Sequence, residues 1–197
     1  GDSVYGKVLR FNDDGSVPEN PFAGRQGFRP EIYSIGHRNM VGMTSHPDGA
    51  VWQNENGPLG GDEVNILVPA GNYGWPLVSL GRDYAGPWHS EDWQMEGMID
   101  PVVYWTPSVA PAGLLFYRGD ALPGWTGDAF VGGLRYGEIS GTGRLERIVF
   151  NLDMQEMRRE SLLTDWRQRI RDVRQAPDGS IWFLSVGQGA IYRMTPG

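Results

Sequence analysis

The sequence has no cysteine. That excludes a disulfide framework and a thiolate metal site, but it leaves the compartment open, because many exported proteins also lack cysteine. No apolar run approaches the roughly 18 residues that read as a membrane-spanning helix. Basic residues are in the minority: 17 Lys and Arg stand against 24 Asp and Glu, a net charge of −7. Phosphate binding draws on a basic surface, so this balance speaks against a nucleic-acid partner. Helical periodicity is nearly absent. Only Asp153 to Thr164 reads as a weak helix. Arg82 to Gly97 has no period and reads as a long loop, a kind of segment often tied to function. No leader pattern is visible and the first residues are Gly1-Asp2-Ser3, so a processed chain or a fragment is expected.

What is abundant points to strands. The 197 residues suffice for one domain with a real core. Gly (29), Pro (14) and Trp (8) are frequent, a mix that favours short strands and tight turns. Lys7-Val8-Leu9-Arg10-Phe11 alternates polar and apolar before the turn Asn12-Asp13-Asp14-Gly15. Ala50-Val51-Trp52 follows His46-Pro47-Asp48-Gly49, and Ser180 to Leu184 follows Ala176-Pro177-Asp178-Gly179. Ala190 to Met194 closes the series. Such runs bounded by turn residues read as antiparallel strands. The two Pro-Asp-Gly turns lie about 130 residues apart, near three units of roughly 43, the length of a propeller blade. Asp128 to Gly133 is a partial third echo. Most of the eight tryptophans are expected in cores between sheets.

The densest chemistry lies between Gly36 and Pro76. Gly36-His37-Arg38-Asn39 sets a cation beside an amide. Glu55-Asn56-Gly57-Pro58 and Gly71-Asn72-Tyr73-Gly74-Trp75-Pro76 are turns that offer carbonyls. Gly60-Gly61-Asp62-Glu63-Val64-Asn65 carries paired carboxylates. The set suits an anionic ligand and a hard cation that takes oxygen ligands. Alone, each motif is equally an exposed Arg, an ordinary turn or a solvated acidic turn. His37 reads as a packing or hydrogen-bonding residue. Further on, Arg135 follows two glycines in Gly132-Gly133-Leu134-Arg135, where a backbone can approach a ligand closely. In Arg169-Ile170-Arg171-Asp172-Val173 the two arginines would share a strand face, and like charges so placed call for an anion. The same window is also open to a basic helix face continuing from Arg167.

In this order and at these intervals the motifs resemble the soluble quinoprotein sugar dehydrogenases, the group of aldose sugar dehydrogenase and soluble glucose dehydrogenase. The likeness runs from Gly6-Lys7-Val8-Leu9-Arg10 to Tyr192-Arg193-Met194. It implies an all-β fold of the six-bladed β-propeller family, with residues 1–197 as a single partial domain of about four blades. It implies pyrroloquinoline quinone and Ca2+ as cofactors. By the resemblance, Arg38 polarises and stabilises the quinone oxygen, while Asn39, Arg135, Arg169 and Arg171 position the quinone. The carbonyls of Gly57 and Pro58 would hold the cofactor calcium, and Glu63, Tyr73 and Asp83 a structural calcium. Trp105 would line the sugar pocket. One departure is visible: Asn56 stands where relatives often carry His, which leaves the carbonyls in place and alters their surroundings.

The implied reaction is oxidation of an aldose sugar at C1 to a lactone. A base takes the anomeric proton, hydride passes to the quinone, and electrons leave to an external acceptor. The base in this group is a His in a Gly-rich stretch preceding the segment that matches Gly6 to Leu9. His46 and His89 lie outside that motif, so the chain would supply cofactor and calcium binding without the general base. The missing N-terminal blades, or a second copy of the chain, would close the sheet edges. Family habit implies a periplasmic or secreted location. Two alternatives remain at this level: a non-catalytic or lactonase-type propeller binding module, and an inactive fragment.

Overall fold

The structure, a computed structural model, describes residues 1–196 and is all-β apart from one short 3-10 turn at Thr164–Trp166. Strands β1 (Lys7–Leu9) and β2 (Ile32–Ile35) form a two-stranded antiparallel sheet. A four-stranded sheet follows in the order β3 (Met40–Ser45), β4 (Val51–Glu55), β6 (Asp62–Leu67), β8 (Val103–Trp105). Between them, β5 (Leu59–Gly60) pairs with β7 (Gly81–Arg82). A second four-stranded sheet is a simple meander of β9 (Pro111–Phe116), β10 (Ala129–Gly133), β11 (Arg144–Phe150) and β12 (Glu156–Leu162). The last sheet joins β13 (Ile170–Gln175), β14 (Ile181–Ser185) and β15 (Ala190–Met194).

Alternation along strands decides which sheet faces meet. Side chains of β10 point to opposite sides in turn. Ala129 and Val131 enter a core with Trp52, Val64, Trp105 and Leu114, whereas Phe130 enters another with Leu145, Ile170, Val173 and Ile181. Both faces of β10 are therefore covered, and all five of its residues are buried. Each fully buried large side chain of this kind contributes about 1.5–3 kcal/mol.

The first strands of three successive sheets, β3, β9 and β13, pack side by side and run in the same direction. Gly42 lies against the Ala112 carbonyl near their start, and Arg118 Nη2 donates to the Ser45 carbonyl (2.6 Å) past their end. Gly113 lies against Asp172 and Val173, and the Arg118 N–H reaches Gln175 Oε1 (2.7 Å). Asn54 stitches two of these sheets: its Oδ1 accepts the Gly42 N–H (2.8 Å) and its Nδ2 donates to the Ala112 carbonyl (2.8 Å). The segments that enter β3, β9 and β13 consequently gather at one end.

Three expectations change. Asp153 to Thr164 is not helical. It holds a turn and the edge strand β12, whose pairing with β11 overrides the helix preference of its Met, Glu and Arg residues. The two Pro-Asp-Gly turns do occupy matching places, joining β3 to β4 and β13 to β14. They are two sheets apart, however, with first strands spaced by about 70 and about 60 residues instead of units near 43. Of the tryptophans, Trp52 and Trp105 are buried and Trp125 and Trp166 pack partly buried against a core, while Trp88, Trp93 and Trp182 are exposed. The segment Arg169 to Val173 is strand and not helix, as the downstream hairpin suggested.

A Cβ at Gly113 would sit 2.7 Å from Asp172 Cα and Val173 N, both backbone atoms. Gly113→Ala should therefore lower the unfolding free energy by about 1–3 kcal/mol, read by urea denaturation. A loss below about 0.5 kcal/mol would contradict this close approach of β9 and β13.

Candidate cofactor and metal site

The turn after β4 is shaped by one carboxylate. Asp62, at the start of β6, is fully buried. Its Oδ1 accepts the Gly57 N–H (3.0 Å), and its Oδ2 accepts Ser108 Oγ (2.6 Å) and the N–H groups of Val109 and Ala110 (2.8 Å each). Burial raises its pKa, and these four donors oppose that rise. Gly57 fits only without a side chain, because a Cβ would run into the carbonyls of Gly60 and Gly61. Gly57 and Pro58 are both buried.

Glu55 organises the other side of the turn. Its Oε2 accepts the Arg38 N–H (2.6 Å), and its Oε1 lies 3.2 Å from His37 Nδ1, 3.1 Å from Gln53 Nε2 and 3.2 Å from Asn65 Nδ2. His37 is buried, stacks on Tyr73 (4.5 Å between ring centres) and meets Ser34 Oγ through Nε2 (2.8 Å). It is thus a hydrogen-bonded core residue. Arg38 Nη1 donates to the carbonyls of Asn56 (2.9 Å) and Gly57 (3.0 Å), and Nη2 to the Tyr84 hydroxyl (3.3 Å). Its guanidinium carbon lies 5.2 Å from the Trp75 ring centre, within cation–π range. Asn39 is exposed, and its carbonyl accepts the Asn56 N–H (2.9 Å).

The stretch from Gly36 to Pro76 closes on itself. Ile35 N–H donates to the Gly71 carbonyl (2.9 Å), Tyr73 N–H to that of Ile35 (3.0 Å) and Trp75 N–H to that of Gly36 (2.9 Å). A Cβ on Gly36, whose φ is +78°, would lie 2.7 Å from the Tyr73 nitrogen. This closure brings Tyr73 to Glu63. The two line a small cavity of about 10 Å³ together with Arg38, Glu55 and Gly57, room for about one water-sized sphere. Glu63 stands directly across the ladder from Glu55. Burial, and then the Glu55 charge, push its pKa up to about 8.

Glu55 and Glu63, paired across the ladder and both lining this cavity, offer oxygen donors of the kind a hard divalent cation takes. Buried Asn65 Oδ1 and Gln53 Oε1 beside them also lack a hydrogen-bond partner. Among the described residues no three His, Cys, Asp or Glu side chains are grouped to hold a metal, so an ion here would draw on backbone carbonyls. Asp83 does not join Glu63 and Tyr73 at this cavity. Its Oδ1 lies 2.5 Å from His89 Nδ1, while His89 Nε2 meets the Pro76 carbonyl (2.9 Å) and the ring stacks on Trp75 (4.3 Å).

The remaining arginines approach from the later sheets. Leu134 and Arg135 follow β10 and donate their N–H groups to the Val109 carbonyl (3.0 and 3.2 Å), so Arg135 sits beside the Asp62 loop. Its side chain pairs with Glu138 (3.0 Å). Arg169 immediately precedes β13, and Arg171 lies at an irregularity in the β13–β14 register. Both are exposed, and among the described residues neither has a carboxylate partner. Arg38, Arg135 and Arg169 thus flank the same ends of β3, β10 and β13. Trp105 is a core residue of β8, paired across from Asp62 and approached by the Arg159 guanidinium at 5.1 Å. Sequence reasoning gave Glu55 and Asp62 no role of their own, although both sat within its motifs, and it missed Tyr84; the donors that Asp62 collects come from 5 to 48 residues away.

Comparison with known proteins fits this geometry. The chain is 38% identical over 202 residues to aldose sugar dehydrogenase YliI of Escherichia coli (strain K12), covering 99% of this chain and 52% of that protein. A solved glucose dehydrogenase matches all of this chain and 55% of its own, with TM-score 0.90 and 36% identity. The PQQ-bound form of aldose sugar dehydrogenase from Streptomyces coelicolor matches 98% of this chain and 52% of its own, with TM-score 0.73 and 28% identity. The chain therefore spans about half the length of the curated relatives it matches. The sequence model of the Glucose / Sorbosone dehydrogenase family matches residues 1–193, and the chain belongs to that family.

Proposed function

We propose that this chain forms the cofactor-holding part of a calcium-assisted, pyrroloquinoline-quinone-dependent dehydrogenase that oxidises aldose sugars at C1 to lactones. The observation that carries the reading is the gathering of Arg38, Arg135 and Arg169 at one end of neighbouring strands, next to the cavity lined by Glu55 and Glu63. When bound, the quinone supplies a hydride acceptor for the sugar. Arg169 and Arg171, free of carboxylate partners among the described residues, neutralise the ligand's anionic groups. Arg135 and Asn39 orient it from either side. Arg38 is fixed by the Gly57 carbonyl and the Trp75 ring, and its guanidinium stabilises negative charge developing on an oxygen. A carbonyl has two lone pairs, so the Arg38 bond leaves Gly57 one for a cation, with Pro58 beside it. Glu63 and the Tyr73 carbonyl suit a second calcium, and Asp83 would join them only by leaving His89.

The general base lies outside this chain in our reading. His37 has both ring nitrogens engaged in the buried network, and His46 and His89 face Asp48 and Asp83. The sheets would form about four blades of a six-bladed propeller, with residues 1–197 as one partial domain and Trp105 backing the sugar pocket. An external acceptor takes the electrons, and the protein works in the periplasm or outside the cell. Among the described residues no helix is long and apolar enough to cross a membrane.

Two measurements test this. In the full-length protein, Arg38→Ala and Arg169→Ala should each weaken quinone binding by about tenfold or more, followed by absorbance titration. Unchanged affinity and activity in both would refute the assignment. The second concerns Glu63, whose pKa rises from 4.5 to about 8 on folding. Its favourable contribution is complete below the unfolded value and is lost as pH rises towards about 8, because only the unfolded chain ionises freely in that window. In calcium-free buffer the Tm should fall across that range, and Glu63→Gln should flatten the fall. Parallel profiles for the two proteins would contradict the like-charge pairing with Glu55.

A further inference from the structure

The segment after β7 carries exposed aromatic side chains, of which only Tyr84 reaches the cofactor site through Arg38. Tyr84, Trp88 and Trp93 are 71%, 43% and 58% exposed, and Tyr104 on β8 beside them is 51% exposed. Single exposed aromatics need no explanation, but a contiguous set marks a binding surface. This set is held in place. Arg82 stacks on Trp88 at 4.0 Å, and the Trp88 and Trp93 ring centres are 6.1 Å apart. Ser90 Oγ accepts the Ser79 N–H (3.0 Å) and donates to the Asp92 carbonyl (2.7 Å). The Asp83–His89 pair anchors the loop to Pro76.

Between this loop and β8 lies an open cleft of about 600 Å³, in the range of small-ligand sites. Trp93 and Tyr104 contribute ring surface, and Glu91, Asp92, Gln94 and Asp100 contribute oxygens and an amide. Gln94 Nε2 donates to Asp100 Oδ2 (2.6 Å), which holds one amide and one carboxylate ready on the wall. Rings that cover C–H faces, combined with planar polar groups that meet hydroxyls, suit a sugar. No Lys or Arg lines the cleft, and its carboxylates repel anions, so the sugar is neutral. Among the described residues the acidic side chains here are not grouped to hold a metal. The same loop also touches the cofactor site, through Tyr84 and Arg38.

We infer that the cleft formed by the 83–97 loop and Tyr104 is a subsite for a neutral saccharide unit lying beyond the sugar that reacts at Arg38. The inference rests on the dehydrogenase reading for what reacts, but the binding itself can be measured without it. The probes are maltotriitol and cellotriitol, reduced trisaccharides with no C1 to oxidise, titrated into the full-length protein without quinone. Tryptophan fluorescence or calorimetry should show saturable binding of at least one of them. Trp93→Ala and Tyr104→Ala should each weaken it about tenfold. Both rings are more than half exposed, so either variant can carry the test if the other misfolds. Absence of saturable binding by both alditols, or an affinity in both variants unchanged from that of the unsubstituted protein, would overturn the subsite even if sugar oxidation is found. Binding that meets the expectation in a protein without quinone-dependent activity would sink only the dehydrogenase reading. If sedimentation shows that Trp93→Ala separates two copies while alditol affinity stays unchanged, the loop is a contact between copies and the subsite is overturned.

Discussion

A single buried carboxylate holds the end of the molecule where the candidate site lies. Asp62 accepts from Gly57, Ser108, Val109 and Ala110, and so joins the turn after β4 to the segment entering β9. Val109 in turn accepts from Leu134 and Arg135, which ties the exit of β10 into the same knot. Three of the four donors are backbone N–H groups that could not reverse their polarity. An amide in place of the carboxylate would turn a donor towards donors and leave buried groups unsatisfied. The position therefore demands an acceptor-only side chain. The arrangement of Gly57, Ala110 and Arg135 follows from it.

The second constraint is closeness. β3, β9 and β13 approach one another at Gly42 and Gly113, and β10 meets the start of β13 at Gly132. Parallel alignment of the three first strands makes their entry segments neighbours. Cations that stand far apart along the chain, Arg38, Arg135 and Arg169, thereby come to one end. Two cores on either side of β10 maintain that alignment. Glycine at the contact and bulk behind it act together, since the close approach leaves no room for a side chain and the buried rings resist separation.

What was legible in the sequence was local. The Pro-Asp-Gly hairpins were readable because their chemistry is short-range: Asp48 Oδ1 accepts the Ala50 N–H (2.8 Å), and Asp178 Oδ1 the Ser180 N–H (3.0 Å). The closing of Gly36 to Pro76 was legible as motifs and is seen as backbone bonds. β12 was hidden because five of its seven residues are exposed and its partner strand, not its own pattern, makes it a strand. The repeat interval misled because the segment between β6 and β8 lengthens the first four-stranded sheet. Asp83 was placed by the family resemblance alone, whereas its partner is fixed by how the loop folds onto Pro76. The role of Asp62 depends mostly on donors that follow the paired strand β8, 46 to 48 residues along the chain, and no short window of sequence contains them.

The electrostatics of the cavity link these levels. Glu55 and Glu63 are forced opposite one another by the register of β4 and β6, and strand register moves only in whole steps that would turn every side chain to the other face. The repulsion is thus built into the sheet and not into a movable loop. Glu55 accepts from Arg38, Gln53 and Asn65 and lies beside His37 Nδ1, while burial and then the Glu55 charge raise the pKa of Glu63. Arg38 is held by its backbone to Glu55 and by its side chain to Gly57, so its guanidinium lies over the carbonyls and away from the carboxylate pair. The Arg38 charge is consequently displayed at the turn, beside the cavity that Glu55 and Glu63 line. An anionic group approaching the turn meets the Arg38 guanidinium first, whereas burial and the Glu55 charge hold the proton on Glu63 behind it.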